Sequence, residues 1–251
     1  MELQQFFEQH PSVAVAFSGG VDSAVLLCLA KQYAADVKAY YVQSAFQPQF
    51  ELADARALAA QLDVPLTVLP LDVLSDERIA ANPPNRCYYC KQKIFAAILR
   101  QAKADGLAAV LDGTNATDRA DDRPGMRALQ ELGVFSPLRL CGYTKAMIRQ
   151  IARDRQLPVS DKPSYACLAT RIPAGTAITD ELLQKTERAE EQLRAMGLVN
   201  FRVRYRRGAA LLQLGKDDFP RLLAQKNAVL QTLSADYEAV YLDLKERPDD
   251  D

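Results

Sequence analysis

"SVAVAFSGGVDSAVLL", residues 12–27, is the stretch whose reading decides the fold. Residues 12–17 are an apolar run of strand length, the run breaks at Ser18-Gly19-Gly20, and an apolar helical pattern resumes at Val21 and continues to about Tyr33. A strand that turns through glycines into a helix brings unpaired backbone N–H groups and the positive end of the helix dipole to one point. An anion is favoured there. Gly19 and Gly20 let oxygen atoms approach the backbone closely, Ser18 and Ser23 can donate hydrogen bonds, and Asp22 can hold Mg2+ against phosphate. No lysine follows the glycines as in a Walker loop, and the dinucleotide spacing G-x-G-x-x-G is absent.

Outward from this stretch, "VKAYYVQ" (37–43) reads as a second strand, residues 50–63 as a helix, and "PLTVLPL" (65–71) as a third strand. A helix over about 90–104 leads to "AAVLDGTN" (108–115), a fourth strand and its exit loop. Apolar strands alternating with helices predict an α/β fold, a doubly wound parallel sheet covered on both faces, over residues 1–157. Ligands bind such sheets at the carboxyl ends of the strands, where the two quoted loops must lie. After a helix near 144–155, the Pro-rich "LPVSDKPSYACLATRIPAG" (157–175) reads as a linker or a long functional loop. Beyond it come a helix (179–196), strands at 200–206 and 209–214 joined by Arg207-Gly208, a helix (217–233) and a strand (237–244). That order predicts a smaller C-terminal α+β domain over 158–251.

The chain has 251 residues, 49% of them hydrophobic and 25% charged, with no apolar run long enough to span a bilayer. "MELQQFFEQHPS" does not read as a secretory signal, so a cytoplasmic protein with no membrane partner is expected. A net charge of −1 gives no global field for a polyanion, so nucleic acid is not an expected partner. The single histidine, His10, nearly excludes histidine catalysis, and five cysteines argue against a disulfide framework while leaving metal, redox or sulfur chemistry open.

Cys87 and Cys90, in "NPPNRCYYCKQK", are spaced to face one metal or to form a redox pair, and Cys167 sits in the Pro-rich loop. Cys28 and Cys141 read as packing residues. Three thiolates are one short of a structural zinc site but suit a [4Fe–4S] cluster with one open iron; a lone C-x-x-C pair beside a separate thiol is the plainer alternative. In "FRVRYRRG", alternation puts Arg202, Arg204 and Arg206 on one strand face, where they repel one another unless an anion or carboxylates lie between them. Arg123 in "DDRPG" can pair with phosphate or carboxylate; Lys145 could reach ATP phosphates, and Arg171 a substrate carboxylate or a cluster.

The ordered set S-G-G-V-D-S after an apolar strand resembles the pyrophosphate (PP) loop of the ATP pyrophosphatase superfamily, whose adenine nucleotide alpha hydrolase-like domains cleave ATP between the α and β phosphates to adenylylate a substrate. "NPPNRCYYCK", "DGTN", "DRPG", "SPL", "DKPSYACLATRIPAG" and "FRVR" resemble, in that order, the motifs of the LarE family, ATP-dependent sulfur transferases that build the nickel-pincer nucleotide cofactor of lactate racemase. The resemblance covers all but about the last seven residues. It implies adenylylation of pyridinium-3,5-biscarboxylic acid mononucleotide and displacement of AMP by sulfur. It implies ATP, Mg2+ and, in members with three cysteines, a [4Fe–4S] cluster on Cys87, Cys90 and Cys167.

In simpler members the residue matched by Cys167 instead sacrifices its own sulfur. By the same resemblance Ser18, Gly19, Gly20, Asp22 and Ser23 hold pyrophosphate and metal, and Gly113, Thr114 and Asn115 build part of the nucleotide site. Arg202 and Arg204 bind a phosphate, and Glu190 joins Asp22 as a metal candidate. A homo-oligomer, a sulfide donor and a downstream nickel-insertion protein are the partners implied. A tRNA-thiolating enzyme of the same superfamily, and a nucleotide or iron–sulfur binding module, remain as alternatives.

Overall fold

The computed structural model describes residues 2–118, 124–163 and 165–247. Its first sheet comprises β1 (Ser12–Ala16), β2 (Asp36–Gln43), β3 (Leu66–Pro70) and β4 (Ala109–Leu111) in the order β3-β2-β1-β4, all pairs parallel. Side chains of a strand alternate between faces, and the two cores follow that period. Val13, Val15 and Tyr41 face helices α1 (Leu3–Gln9), α2 (Val21–Tyr33), α3 (Gln49–Gln61) and α8 (Lys145–Asp154). Ala14, Tyr40 and Val42 face α5 (Arg86–Ala104) and α6 (Pro124–Glu131). Both faces are therefore buried, which explains why the strands read as continuous apolar runs.

The chain runs from β1 to β2 to β3 on one side and returns to place β4 on the other side of β1. This reversal opens a crevice at the carboxyl ends of β1 and β4, and the loops after those two strands become neighbours. The short helices α4 (Glu77–Ala80) and α7 (Pro137–Leu140) lie in the connections.

The second sheet joins β5 (Phe201–Arg206), β6 (Ala209–Leu214) and β7 (Val240–Leu242), with β5/β6 antiparallel and β6/β7 parallel. Arg207 (φ 49°) and Gly208 (φ 85°) both take positive φ, the two-residue turn that matches strand twist. One face packs on α9 (Asp180–Ala195) and on α10 (Asp218–Ala224) and α11 (Lys226–Leu233). Two expectations change here. The helix expected over 217–233 breaks at Gln225, which leaves helical backbone (φ −112°, ψ 16°) and donates from Nε2 to Met196 O at 3.0 Å. The last strand shortens to three residues.

Residues beyond the expected boundary at 157/158 are packed. Leu168, Ala169 and Ile172, in and just after a 3-10 turn (Leu168–Arg171), are buried with Phe46, Val73 and Ile79 on one side and Leu183 of α9 on the other. Among the described residues no helix is long and apolar enough to cross a membrane.

Candidate active site

Gly19 holds φ at +76°, so the loop after β1 turns back on itself and delivers α2 with Gly20 as its N-cap. The two serines close the turn. Ser23 Oγ donates to Gly20 O at 3.0 Å, accepts from Ser18 N at 3.3 Å, and lies 3.1 Å from Ser18 Oγ. The loop after β4 lies against this turn so tightly that a Cβ on Gly113 would stand 2.9 Å from Ser23 N. Asp112 accepts from Thr114 Oγ1 and from Ser136 Oγ, each at 2.5 Å, which holds the β4 exit in place.

Asn115 Nδ2 donates to Asp22 Oδ1 at 3.1 Å, and Lys145 Nζ pairs with Asp22 Oδ2 at 2.6 Å. Lys145 opens α8, whose N-cap Thr144 accepts from Met147 N. The carboxylate of Asp22 thus already holds a cation, the ammonium of Lys145. An oxygen donor of this kind suits a hard cation such as Mg2+, which Asp22 would hold.

Two cavities meet at the loop. The first, of about 380 Å3, is lined by Ser18, Gly20, Asp22, Gly113 and Thr114, with apolar walls from Tyr40, Ile94 and Phe95, as suits a nucleotide. The second, of about 270 Å3, runs from Ser18–Asp22 to Lys162, Tyr165 and Cys167. Gln47 lines both. Cys167 and the anion loop therefore face the same space, although they lie 145 to 149 positions apart in the chain.

The thiol segment is fastened from several sides. Leu168 N donates to Phe46 O at 2.9 Å, Thr170 Oγ1 to Cys167 O at 2.8 Å, Arg204 Nη1 to Thr170 O at 2.6 Å, and Arg86 Nη1 to Ala169 O at 2.9 Å. Arg86 begins α5, so the last bond brings the helix of Cys87 and Cys90 against the loop of Cys167. Burial pushes the Cys90 thiol up to about 12, and the neighbouring Cys167 and Cys87 add to the rise. Burial also raises Cys167, against which Arg86 and Arg171 act. Without a metal, Cys90 and Cys167 are thiols near neutral pH.

Among the described residues no three His, Cys, Asp or Glu side chains converge on a single-ion position. The three thiols share one neighbourhood near two guanidiniums, whereas Cys28 is in the core and Cys141 packs at its margin. Three sulfurs with cations nearby are a donor set of the kind an iron–sulfur cluster would use, with Cys87 exposed and Cys90 and Cys167 partly buried.

The chain is similar to several known proteins. Residues 5–116 match the asparagine synthase family model, a PP-loop domain. The chain is 33% identical over 237 residues to the pyridinium-3,5-bisthiocarboxylic acid mononucleotide synthase of Lactiplantibacillus plantarum, covering 92% of this chain and 85% of that protein. The chain belongs to the LarE family. An uncharacterized protein of Synechocystis sp. is 37% identical over 84% of this chain and 80% of its own length. A tRNA-specific 2-thiouridylase MnmA of Frankia casuarinae is 28% identical over 88% of this chain and 75% of its own length.

In this LarE protein Glu190 lies in a buried ion pair and lines neither cavity. It is 1% exposed, its oxygens accept from Arg171 Nε at 2.8 Å, Tyr165 Oη at 2.5 Å and Val203 N at 3.0 Å, and those donors hold its carboxyl below the usual range despite burial. Both oxygens are occupied by positive or neutral donors, and a cation would have to displace Arg171. Arg202 and Arg204 lie on the face of β5 that meets the thiol loop, and Arg206 is exposed at the hairpin end.

Burial, with Arg171 and Arg247 near, pushes Arg202 down to about 10 and lowers Arg204. The guanidiniums of Arg171 and Arg202 lie 4.6 Å and 5.0 Å from the centre of the Tyr165 ring. Neither Arg202 nor Arg204 lines the two cavities. Arg123 lies outside the described residues. His10 packs between Phe6 and Phe135. The sequence reading missed Gln47, Glu51, Lys91, Lys162 and Tyr165 in the cavity walls; the first two follow the carboxyl end of β2, a position the topology alone marks.

Proposed function

We propose that this protein is an ATP-dependent, AMP- and pyrophosphate-forming sulfur transferase that converts the carboxylates of pyridinium-3,5-biscarboxylic acid mononucleotide to thiocarboxylates. The observation that carries the reading is the cavity shared by Cys167 and the Ser18–Asp22 loop. A carboxylate is a poor electrophile, so its oxygen first attacks the α-phosphorus of ATP and pyrophosphate leaves. Sulfur then adds to the acyl carbon and AMP departs with the bonding pair.

Ser18, Gly19, Gly20 and Ser23 bind the departing pyrophosphate through backbone and hydroxyl donors, and Asp22 holds Mg2+ against it. Gly113, Thr114 and Asn115 wall the nucleotide, and Arg202 and Arg204 attract the substrate phosphate. Residues 1–157 carry the nucleotide chemistry and residues 158–251 the sulfur and substrate contacts. Cys87, Cys90 and Cys167 would hold a [4Fe–4S] cluster, which supplies a sulfur nucleophile when bound.

A second reading has Cys167 give up its own sulfur. It is favoured by Cys167 lining the cavity while Cys87 and Cys90 do not. Anaerobic purification with iron and sulfide analysis separates the two: roughly four irons per chain support the cluster, and a colourless protein that loses mass at Cys167 on turnover supports the sacrificial route. The activity itself is tested by pyrophosphate release from ATP that requires both Mg2+ and the pyridinium dicarboxylate. Release stimulated by tRNA instead would favour a tRNA thiolase.

A further inference from the structure

The turn that leaves β2 carries a side chain with no part in the chemistry above. Gln47 lines the nucleotide cavity together with Ser18, Asp22 and Thr114, and the thiol cavity together with Cys167. The orientation of its amide is determined. Ser44 N donates to Gln47 Oε1 at 3.2 Å and Ser44 Oγ donates to the same atom at 2.6 Å. A backbone N–H can only donate, so the atom facing it is the amide oxygen and not the nitrogen. The Nε2–H donors of Gln47 then have no acceptor among the described residues.

The same turn is tied to the sulfur segment. Leu168 N donates to Phe46 O at 2.9 Å, so the residues next to Gln47 and Cys167 are bonded to each other. Of the lysines in the cavity walls, Lys145 pairs with Asp22 and Lys162 with Asp54, each at 2.6 Å, and Lys91 lines the nucleotide cavity but not the thiol cavity. Gln47 is left as a neutral donor, oriented in advance, where the two cavities join.

We infer that Gln47 is a catalytic residue whose amide N–H groups bind the acyl oxygen of the adenylylated substrate as sulfur adds to it. This rests on the sulfur-transferase reading. In that step the C–S bond forms, the carbonyl electron pair moves onto oxygen, and it returns as the bond to AMP breaks. The sulfur's proton, where it carries one, passes to solvent. A fixed donor aimed at such an oxygen is worth about 10²- to 10³-fold in rate. A structural role would be complete with Oε1 alone, since that atom makes the bonds that close the turn.

The test compares Gln47→Glu and Gln47→Met with wild type in single-turnover reactions containing ATP, Mg2+, pyridinium-3,5-biscarboxylic acid mononucleotide and inorganic sulfide. Gln47→Glu keeps the acceptor for Ser44 and removes the donors; Gln47→Met removes both without adding charge. The expected result for both variants is accumulation of the acyl-adenylate, with thiocarboxylate formation slowed about 10²-fold or more and slowed at least about tenfold more than pyrophosphate release. Thiocarboxylate formed by both variants at the wild-type rate overturns the assignment alone. Wild-type protein that releases no pyrophosphate with this substrate overturns the functional reading, and the assignment with it.

Discussion

Arg86 and Ala169 lie 83 positions apart and are joined by a 2.9 Å bond from Nη1 to the carbonyl oxygen, which fixes the cysteine-bearing helix α5 to the loop of Cys167. The same Nη1 donates to Asn82 Oδ1 at 2.7 Å. Asn82, in the left-handed region (φ 54°), spends its Nδ2 on the carbonyls of Pro173 and Thr176 at 2.9 and 3.1 Å. One buried Asn–Arg pair thus clips both ends of the turn that follows Cys167.

Replacing Arg86 with Met leaves the Ala169 carbonyl and the Asn82 amide oxygen buried without their donor. The expected cost is about 2–4 kcal/mol in unfolding free energy, read from urea denaturation. Sulfur transfer should fall further than pyrophosphate release, because the nucleotide cavity contains no contact to Arg86. Equal loss of both steps would count against a role in joining the cysteines.

Glu190→Gln removes one charge of a pair whose side chains are only 1% and 2% exposed. Arg171 is then left buried beside Arg202 and Arg204, and breaking such a pair costs about 3–5 kcal/mol. Because the wild-type carboxyl is held below its ordinary range, its contribution is present above that range and is lost as pH falls. The gap between wild type and Glu190→Gln should therefore narrow on acidification, a trend that thermal melts at several pH values will reveal or refute.

Glu51 behaves in the opposite sense. Burial pushes its carboxyl up to about 7, with Lys162 and Arg171 opposing. A raised carboxyl favours the fold while protonated, and that advantage is lost as pH rises from its ordinary value of 4.5 through 7. Glu51→Gln should match wild type near pH 4 and exceed it by up to about 3 kcal/mol at pH 8, at about 1.4 kcal/mol per pKa unit. Denaturation curves for the two proteins that stay parallel across this range would contradict it.

Gly113→Ala puts a methyl group 2.9 Å from Ser23 N, a backbone atom that cannot swing aside. The loop after β4 must retreat from the loop after β1, so nucleotide affinity should drop at least tenfold by calorimetry while the far sheet, with its own core, is undisturbed.

Most of the nucleotide half was legible in the sequence because its signals are local. An apolar run, two glycines and a helical pattern sit within sixteen residues, and β1, β2 and β4 are buried while only the edge strand β3 is half-buried. The break at Gln225 and the shortening of β7 were not legible, since the first depends on a bond to Met196 across the second core. The surroundings of Glu190 were not legible for a similar reason. Its partners Arg171, Tyr165 and Val203 come from two other segments, and only their convergence shows that its oxygens are taken. Gln47 and Glu51 carry no motif; the crossing of β1, β2 and β4 makes them cavity walls.

The most direct measurement is a single turnover of ATP and pyridinium-3,5-biscarboxylic acid mononucleotide by Cys167→Ala and by Asp22→Ala, with pyrophosphate and thiocarboxylate quantified together. Cys167→Ala is expected to release pyrophosphate and form no thiocarboxylate, and Asp22→Ala to form neither product. Thiocarboxylate made by Cys167→Ala at the wild-type rate would contradict the convergence of the anion loop and this thiol on one activated acid.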